Sequence, residues 1–115
     1  MIEGSQIDWG GHANEVDYIA REMVDLDLTI AEVLAWAEKD GNTLVVISAD
    51  HETGGFALND ASIKEKTITG KFTTNEHTGV MVPVFAYGPG AEEFMGIYEN
   101  NMIFHKFMSL FKFKK

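Results

Sequence analysis

An α/β fold with a mostly parallel sheet is predicted by three features of this 115-residue chain. The first is Thr43-Leu44-Val45-Val46-Ile47-Ser48-Ala49, an uninterrupted β-prone run suited to a strand covered on both faces. The second is a long amphipathic stretch before it, in which Val16, Ile19, Ala20, Met23, Leu26, Ile30, Val33, Leu34 and Ala37 recur at helical spacing. The third is the doublet Asp50-His51 at the carboxyl end of the strand, the edge where open α/β sheets bind ligands. With 45% hydrophobic residues the chain can build a core, and its length bounds it to one domain at most.

The elements follow in order. Met1-Ile2 reads as the tail of a buried strand, and a domain that opens in mid-strand is expected to be truncated on its N-terminal side. Asp8-Trp9-Gly10-Gly11-His12 reads as a glycine-rich loop. Asn14 offers an N-cap for the long helix, Glu15 and Asp17 suit its first turn, and Gly41 suits its left-handed end. After the strand comes a turn at Glu52-Thr53-Gly54-Gly55, then a short strand at Phe56-Ala57-Leu58. Residues 59–75 are polar and predict a loop or hairpin insertion. Val80 to Tyr87 predicts another strand, which starts at or after Pro83 or lies at a sheet edge because proline cannot donate to a ladder, and is ended by Gly88-Pro89-Gly90. Residues 100–112 predict a closing helix with Met102, Ile103, Phe107, Leu110 and Phe111 inward, followed by a basic end at Lys112, Lys114 and Lys115.

Composition excludes several classes. The chain has no cysteine, hence no disulfide framework and no thiolate metal site. Nine basic against eighteen acidic residues give a net charge of −9, which argues against a nucleic-acid partner. The first residues carry neither the basic nor the apolar region of a signal peptide, and no apolar run is long enough to span a membrane.

The chemistry-bearing candidates are Glu3, Asp8 with His12, the Asp50-His51 doublet, and His77 within Glu76-His77-Thr78-Gly79. Carboxylate and imidazole are the ligands zinc takes when thiolate is absent. Each residue has a plainer alternative: Asp8 a turn former, His12 a solvent-facing side chain, Asp50 a cap, Glu3 an exposed acid, His77 an ordinary loop residue. His105, in the last helix, reads as structural. Three of the four histidines fall in loops or at strand ends, two of them with an acid at ligand spacing, and that coincidence points to a metal site.

Met1-Ile2-Glu3-Gly4-Ser5-Gln6-Ile7-Asp8 with His12, Ala49-Asp50-His51-Glu52-Thr53-Gly54-Gly55, Glu76-His77-Thr78-Gly79 and Tyr87-Gly88-Pro89-Gly90 together resemble the C-terminal portion of the alkaline phosphatase family, across essentially the whole chain. The resemblance implies part of a three-layer α/β/α sandwich. It further implies that Asp8, His12 and His77 are the protein ligands of a first zinc, which activates water, and that Asp50 and His51 bind a second zinc, which activates a serine nucleophile. Glu3 matches a magnesium ligand, and Trp9 stands at a variable position on the phosphate side of the pocket, with a packing role as its alternative. Two such cations can clamp the attacking and leaving oxygens of a phosphoryl displacement and reverse the local field of an acidic chain.

The family's Asp-Ser-Ala nucleophile motif does not occur in these 115 residues, and the sole arginine, Arg21, reads as a surface charge on the long helix. The expected function is therefore hydrolysis of phosphate monoesters through a phosphoserine by the whole protein, with the isolated chain inactive. A fragment of a metal-dependent phosphoglycerate mutase or phosphopentomutase, or a non-catalytic metal-binding module, are the alternatives. By resemblance the intact protein is expected to be a homodimer in the periplasm or otherwise outside the cytoplasm, and the fragment to self-associate through exposed apolar edges.

Overall fold

The structure is a computed structural model that describes residues 1–113. Its elements run α1 (Gln6–His12), α2 (Val16–Asp40), β1 (Val45–Ser48), β2 (Glu52–Thr53), β3 (Ala57–Ser62), β4 (Thr67–Lys71), β5 (His77–Thr78), β6 (Val84–Tyr87), a 3-10 turn (Ala91–Phe94) and α3 (Met102–Leu110). The chain divides into two compact units: one combines Met1–Ile30 with His51–Met81, the other Ala31–Asp50 with the residues from Val82 on.

In the first unit, Asp8 to His12 form a helix where the glycines predict a loop. Two glycines weaken a helix by about 1 kcal/mol each relative to alanine. Here they permit contact. A side chain at Gly10 would lie 2.9 Å from Ile19 Cγ1, and one at Gly11 would lie 2.8 Å from the Thr53 carbonyl oxygen, so α1 lies directly on the start of α2 and on β2. Asn14 does not cap α2; it adopts a left-handed φ of 55° between the helices, and the Glu15 carbonyl receives the first helical N–H, from Ile19. With its nitrogen facing them, the Asn14 amide donates to the carbonyls of Gly11 and Thr74 at 2.9 and 2.8 Å. Met1 and Ile2 belong to no strand and are exposed, Ile2 by 63%.

Strands β3 and β4 make an antiparallel hairpin with a register shift between Leu58 and Asp60. Strands β2 and β5 form a minimal ladder in which Glu52 faces Thr78 and Thr53 faces His77. The second unit contains an antiparallel pair of β1 with β6, Val45 opposite Tyr87 and Ser48 opposite Val84. Strand β6 begins immediately after Pro83, whose carbonyl accepts from the Ser48 hydroxyl at 3.3 Å. All pairing among the described residues is antiparallel, in three two-stranded sheets, whereas the sequence predicts a mostly parallel one. The apolar run of β1 encodes strand propensity and burial, but not the direction of its partner.

Helix α2 ends at Gly41, whose φ of +69° lets its N–H reach the Ala37 carbonyl at 2.9 Å. Its predicted inward set is shielded except Met23, which is exposed with Val24, Leu28 and Trp36. On α3, Ile103, Phe107 and Leu110 are half-buried, but Met102 and Phe111 at its two ends are exposed. Among the described residues the buried hydrophobic side chains are Ala37 and Phe94. The predicted basic end is exposed at Lys112, while Lys114 and Lys115 lie outside the described residues.

Candidate metal centre

Helix α1 places Asp8 and His12 one turn apart on the same face, since residues four apart in a helix are neighbours. Strand β5 brings His77 to that face: Thr53 lies opposite His77 in the ladder, and Gly11 allows β2 to approach α1. Ligand atoms of Asp8, His12 and His77 fall within 4.8 Å of one another. The His12 and His77 Nε2 atoms are 3.1 Å apart, and they lie 3.4 and 3.6 Å from Asp8 Oδ1.

These separations fit a cation. Donors held about 2.0–2.1 Å from a tetrahedral zinc stand about 3.3–3.4 Å from each other, and the observed triangle brackets that value. The proton inventory fits as well. His12 Nδ1 donates to the Asn75 carbonyl at 2.6 Å, which leaves Nε2 of the neutral ring unprotonated and facing Asp8 and His77. A carbonyl behind a ligating imidazole is the usual way its ring is oriented. The donor set of one carboxylate and two imidazoles suits zinc.

His51 stands next to this group. Its ring stacks on His77 with centroids 3.5 Å apart and planes 18° from parallel, while His12 and His77 are tilted at 5.0 Å. Thr53 links His51 to the triad: its hydroxyl donates to Asp8 Oδ1 at 2.6 Å and lies 3.2 Å from His51 Nδ1. Asp50 is exposed and ends a stretch of the second unit. Glu3 precedes α1, exposed, and lines a shallow depression with Ser5, Glu22 and Asp25. Trp9 is 56% exposed beside Asp8 on α1. His105 sits on α3 with its ring edge-on to Phe104.

The sequence reading overlooks four supporting groups: Asn14, Glu52, Thr53 and the Asn75 carbonyl. Thr53 carried a readable signal, because in extended backbone residues two apart share a face, so Thr53 lies on the side of His51. Glu52 takes the opposite side. It accepts from the N–H groups of Gly55 and Phe56 at 3.1 and 3.0 Å and from the Thr78 hydroxyl across the ladder. Partial burial opposes its charge, but the Thr78 hydroxyl, the two backbone donors and the neighbouring His51 outweigh it and hold the carboxyl below the ordinary glutamate range.

A carboxylate with a lowered folded-state pKa adds stability above its unfolded value, about 4.3 for glutamate. That contribution is lost as pH falls through the lower folded value. The urea midpoint of the chain is thus expected to drop as pH is lowered from about 5 to 3, and Glu52→Gln should reduce the drop. An identical pH dependence in the variant would show that Glu52 is not the group responsible.

The chain is similar to "Alkaline phosphatase 3" of Bacillus subtilis, with 29% identity over 90% of this chain and 37% of that protein. It is similar in structure to the alkaline phosphatase of the Antarctic bacterium TAB5, with TM-score 0.89 and 52% identity over 98% of this chain and 34% of that one. A mutant of that enzyme, described with Mg bound in its M3 site, matches at TM-score 0.86 and 50% identity over 98% of this chain and 35% of that one. The chain thus spans little more than a third of the length of these relatives. Since the sequence model for alkaline phosphatase matches residues 1–71 and 59–113, together every described residue, the chain belongs to the alkaline phosphatase family.

Proposed function

We propose that this chain supplies the metal-ligand portion of a phosphomonoesterase and that the whole protein hydrolyses phosphate monoesters through a phosphoserine. The observation that carries this is the convergence of Asp8, His12 and His77, from α1 and β5, in a member of this family. These three residues would hold a first zinc. Asp50 and His51 would contribute to a second, and Glu3 to a magnesium ion. Bound there, such cations supply Lewis acidity and positive charge for an incoming phosphate.

The chain's own residues prepare the site. Asn75 fixes the tautomer of His12, and Thr53 and Gly11 keep α1 against β2. Trp9, exposed next to Asp8, would border the phosphate side of the pocket. The serine belongs to a part of the protein outside these residues, as do further strands of a three-layer sandwich in which β1 gains parallel neighbours. Exposed apolar residues such as Val24, Leu28, Trp36 and Phe85 support that reading and would drive self-association of the chain alone. Homodimerisation and a place outside the cytoplasm are proposed for the intact protein on family grounds. Among the described residues no helix is long and apolar enough to cross a membrane.

Zinc binding and hydrolysis of p-nitrophenyl phosphate by the purified chain test the proposal. About one zinc per chain is expected, with no turnover. Zinc-dependent turnover by the chain alone would overturn the placement of the nucleophile elsewhere, and absence of zinc binding would overturn the metal centre.

A further inference from the structure

Thr53 touches both groups of candidate ligands, and its chemistry assigns the protons of these two contacts. A hydroxyl carries a single hydrogen and can accept through its oxygen. The Asp8 carboxylate can only accept, so at 2.6 Å the Thr53 hydrogen is directed to it. Toward His51 Nδ1, 3.2 Å away, Thr53 can then act only as acceptor, so this hydrogen bond requires the imidazole proton on Nδ1. In the neutral ring this leaves His51 Nε2 unprotonated, the form in which imidazole ligates a cation. Asn75 does the same to His12 through its carbonyl.

We infer that Thr53 is a positioning residue whose hydroxyl orients the Asp8 carboxylate and sets the tautomer of His51 in a single hydrogen-bonded chain. The inference rests on the metal-centre reading for its functional meaning, but not for its geometry. Thr53 can fill this role because it is held from two sides. The ladder places it opposite His77, and Gly11 lets α1 come close enough for Asp8 to reach it. One hydroxyl thereby connects the triad of Asp8, His12 and His77 to His51, whose ring stacks on His77. Loss of the hydroxyl would leave Asp8 without this donor and remove the bias on His51. Replacement of such a supporting partner commonly costs about 10–100-fold in metal affinity.

The test compares the wild-type chain with Thr53→Val, which keeps the shape without the hydroxyl, and Thr53→Ser, which keeps the hydroxyl. Long-range proton–nitrogen NMR correlations of ¹⁵N-histidine-labelled protein in alkaline buffer report the tautomer of His51 without metal. Zinc affinity is measured in parallel. The expected result is Nδ1–H at His51 in the wild type and Thr53→Ser, its loss in Thr53→Val, and a zinc affinity at least tenfold weaker in Thr53→Val alone. Nε2–H at His51 in the wild type overturns the inference even if zinc binds. So does a Thr53→Val chain that retains both the tautomer and the affinity, or a Thr53→Ser chain that loses them equally. A hydroxyl-dependent tautomer in a chain that binds no zinc upholds the role of Thr53 and overturns the metal centre instead.

Discussion

His12→Ala is expected to weaken zinc binding by about 100-fold or more, and Asp8→Asn and His77→Ala to do so comparably. Structural zinc sites bind with about 10–16 kcal/mol over four ligands, so one ligand accounts for about 3 kcal/mol, which corresponds to roughly two orders of magnitude in affinity. The three donor atoms lie 3.1–3.6 Å apart, so removal of one leaves two of the triad. Competition titration against a chromophoric chelator gives the affinities directly. His105→Ala is the matched control, since that ring lies on α3 against Phe104 and should leave binding unchanged. Equal affinity in the wild type and the three ligand variants would reject the centre. Because the ligands come from α1 and β5, zinc should also raise the unfolding midpoint and a chelator reverse the gain.

That site was only half readable from sequence. The Asp8 and His12 spacing singles out two donors whether the intervening residues form a turn or a helix, because both conformations can bring residues four apart together. The glycines mislead about which conformation it is. Their cost in helix propensity is local and visible in sequence, whereas the contacts they permit, with Ile19 and Thr53, are tertiary. The Asn75 carbonyl was unreadable for a different reason: every residue has a carbonyl, so residue type carries no signal for it.

Legibility in the fold follows the same division. Features set by one residue's covalent chemistry are readable, such as the end of α2 at Gly41 and the start of β6 after Pro83. Features set by a partner are not. The β-prone run containing Val45, Val46 and Ile47 pairs antiparallel with β6, and nothing in its composition distinguishes that from parallel pairing. Residues such as Met23 and Phe85 fit an apolar pattern yet are exposed among the described residues. Their burial depends on surface that sequence periodicity cannot supply.

Gly11→Ala should lower stability and zinc affinity together, because Gly11 joins the packing of α1 to the geometry of the site. The added carbon would lie 2.8 Å from the Thr53 carbonyl oxygen and 2.9 Å from both Thr53 Cβ and Cγ2. Two opposing terms decide the sign. Alanine improves helix propensity by about 1 kcal/mol, but overpacking against backbone commonly costs about 1–3 kcal/mol and occasionally more. Here the obstruction includes a carbonyl fixed in the β2–β5 ladder, which cannot rotate away as a flexible side chain can. A net loss of about 1–2 kcal/mol is expected, read from the urea midpoint. As α1 is pushed off β2, Asp8 and His12 must separate from Thr53 and His77, so affinity should fall by at least about tenfold, the low end for disturbing a ligand's supporting contacts. Gly79→Ala, at a position with nothing within 4 Å, provides the contrast and should change stability by less than about 0.5 kcal/mol. Zinc affinity that survives in a destabilised Gly11→Ala chain would break the proposed link between packing and metal binding. Gly11 would then be a requirement of the fold alone, and the triad would assemble without close apposition of α1 and β2.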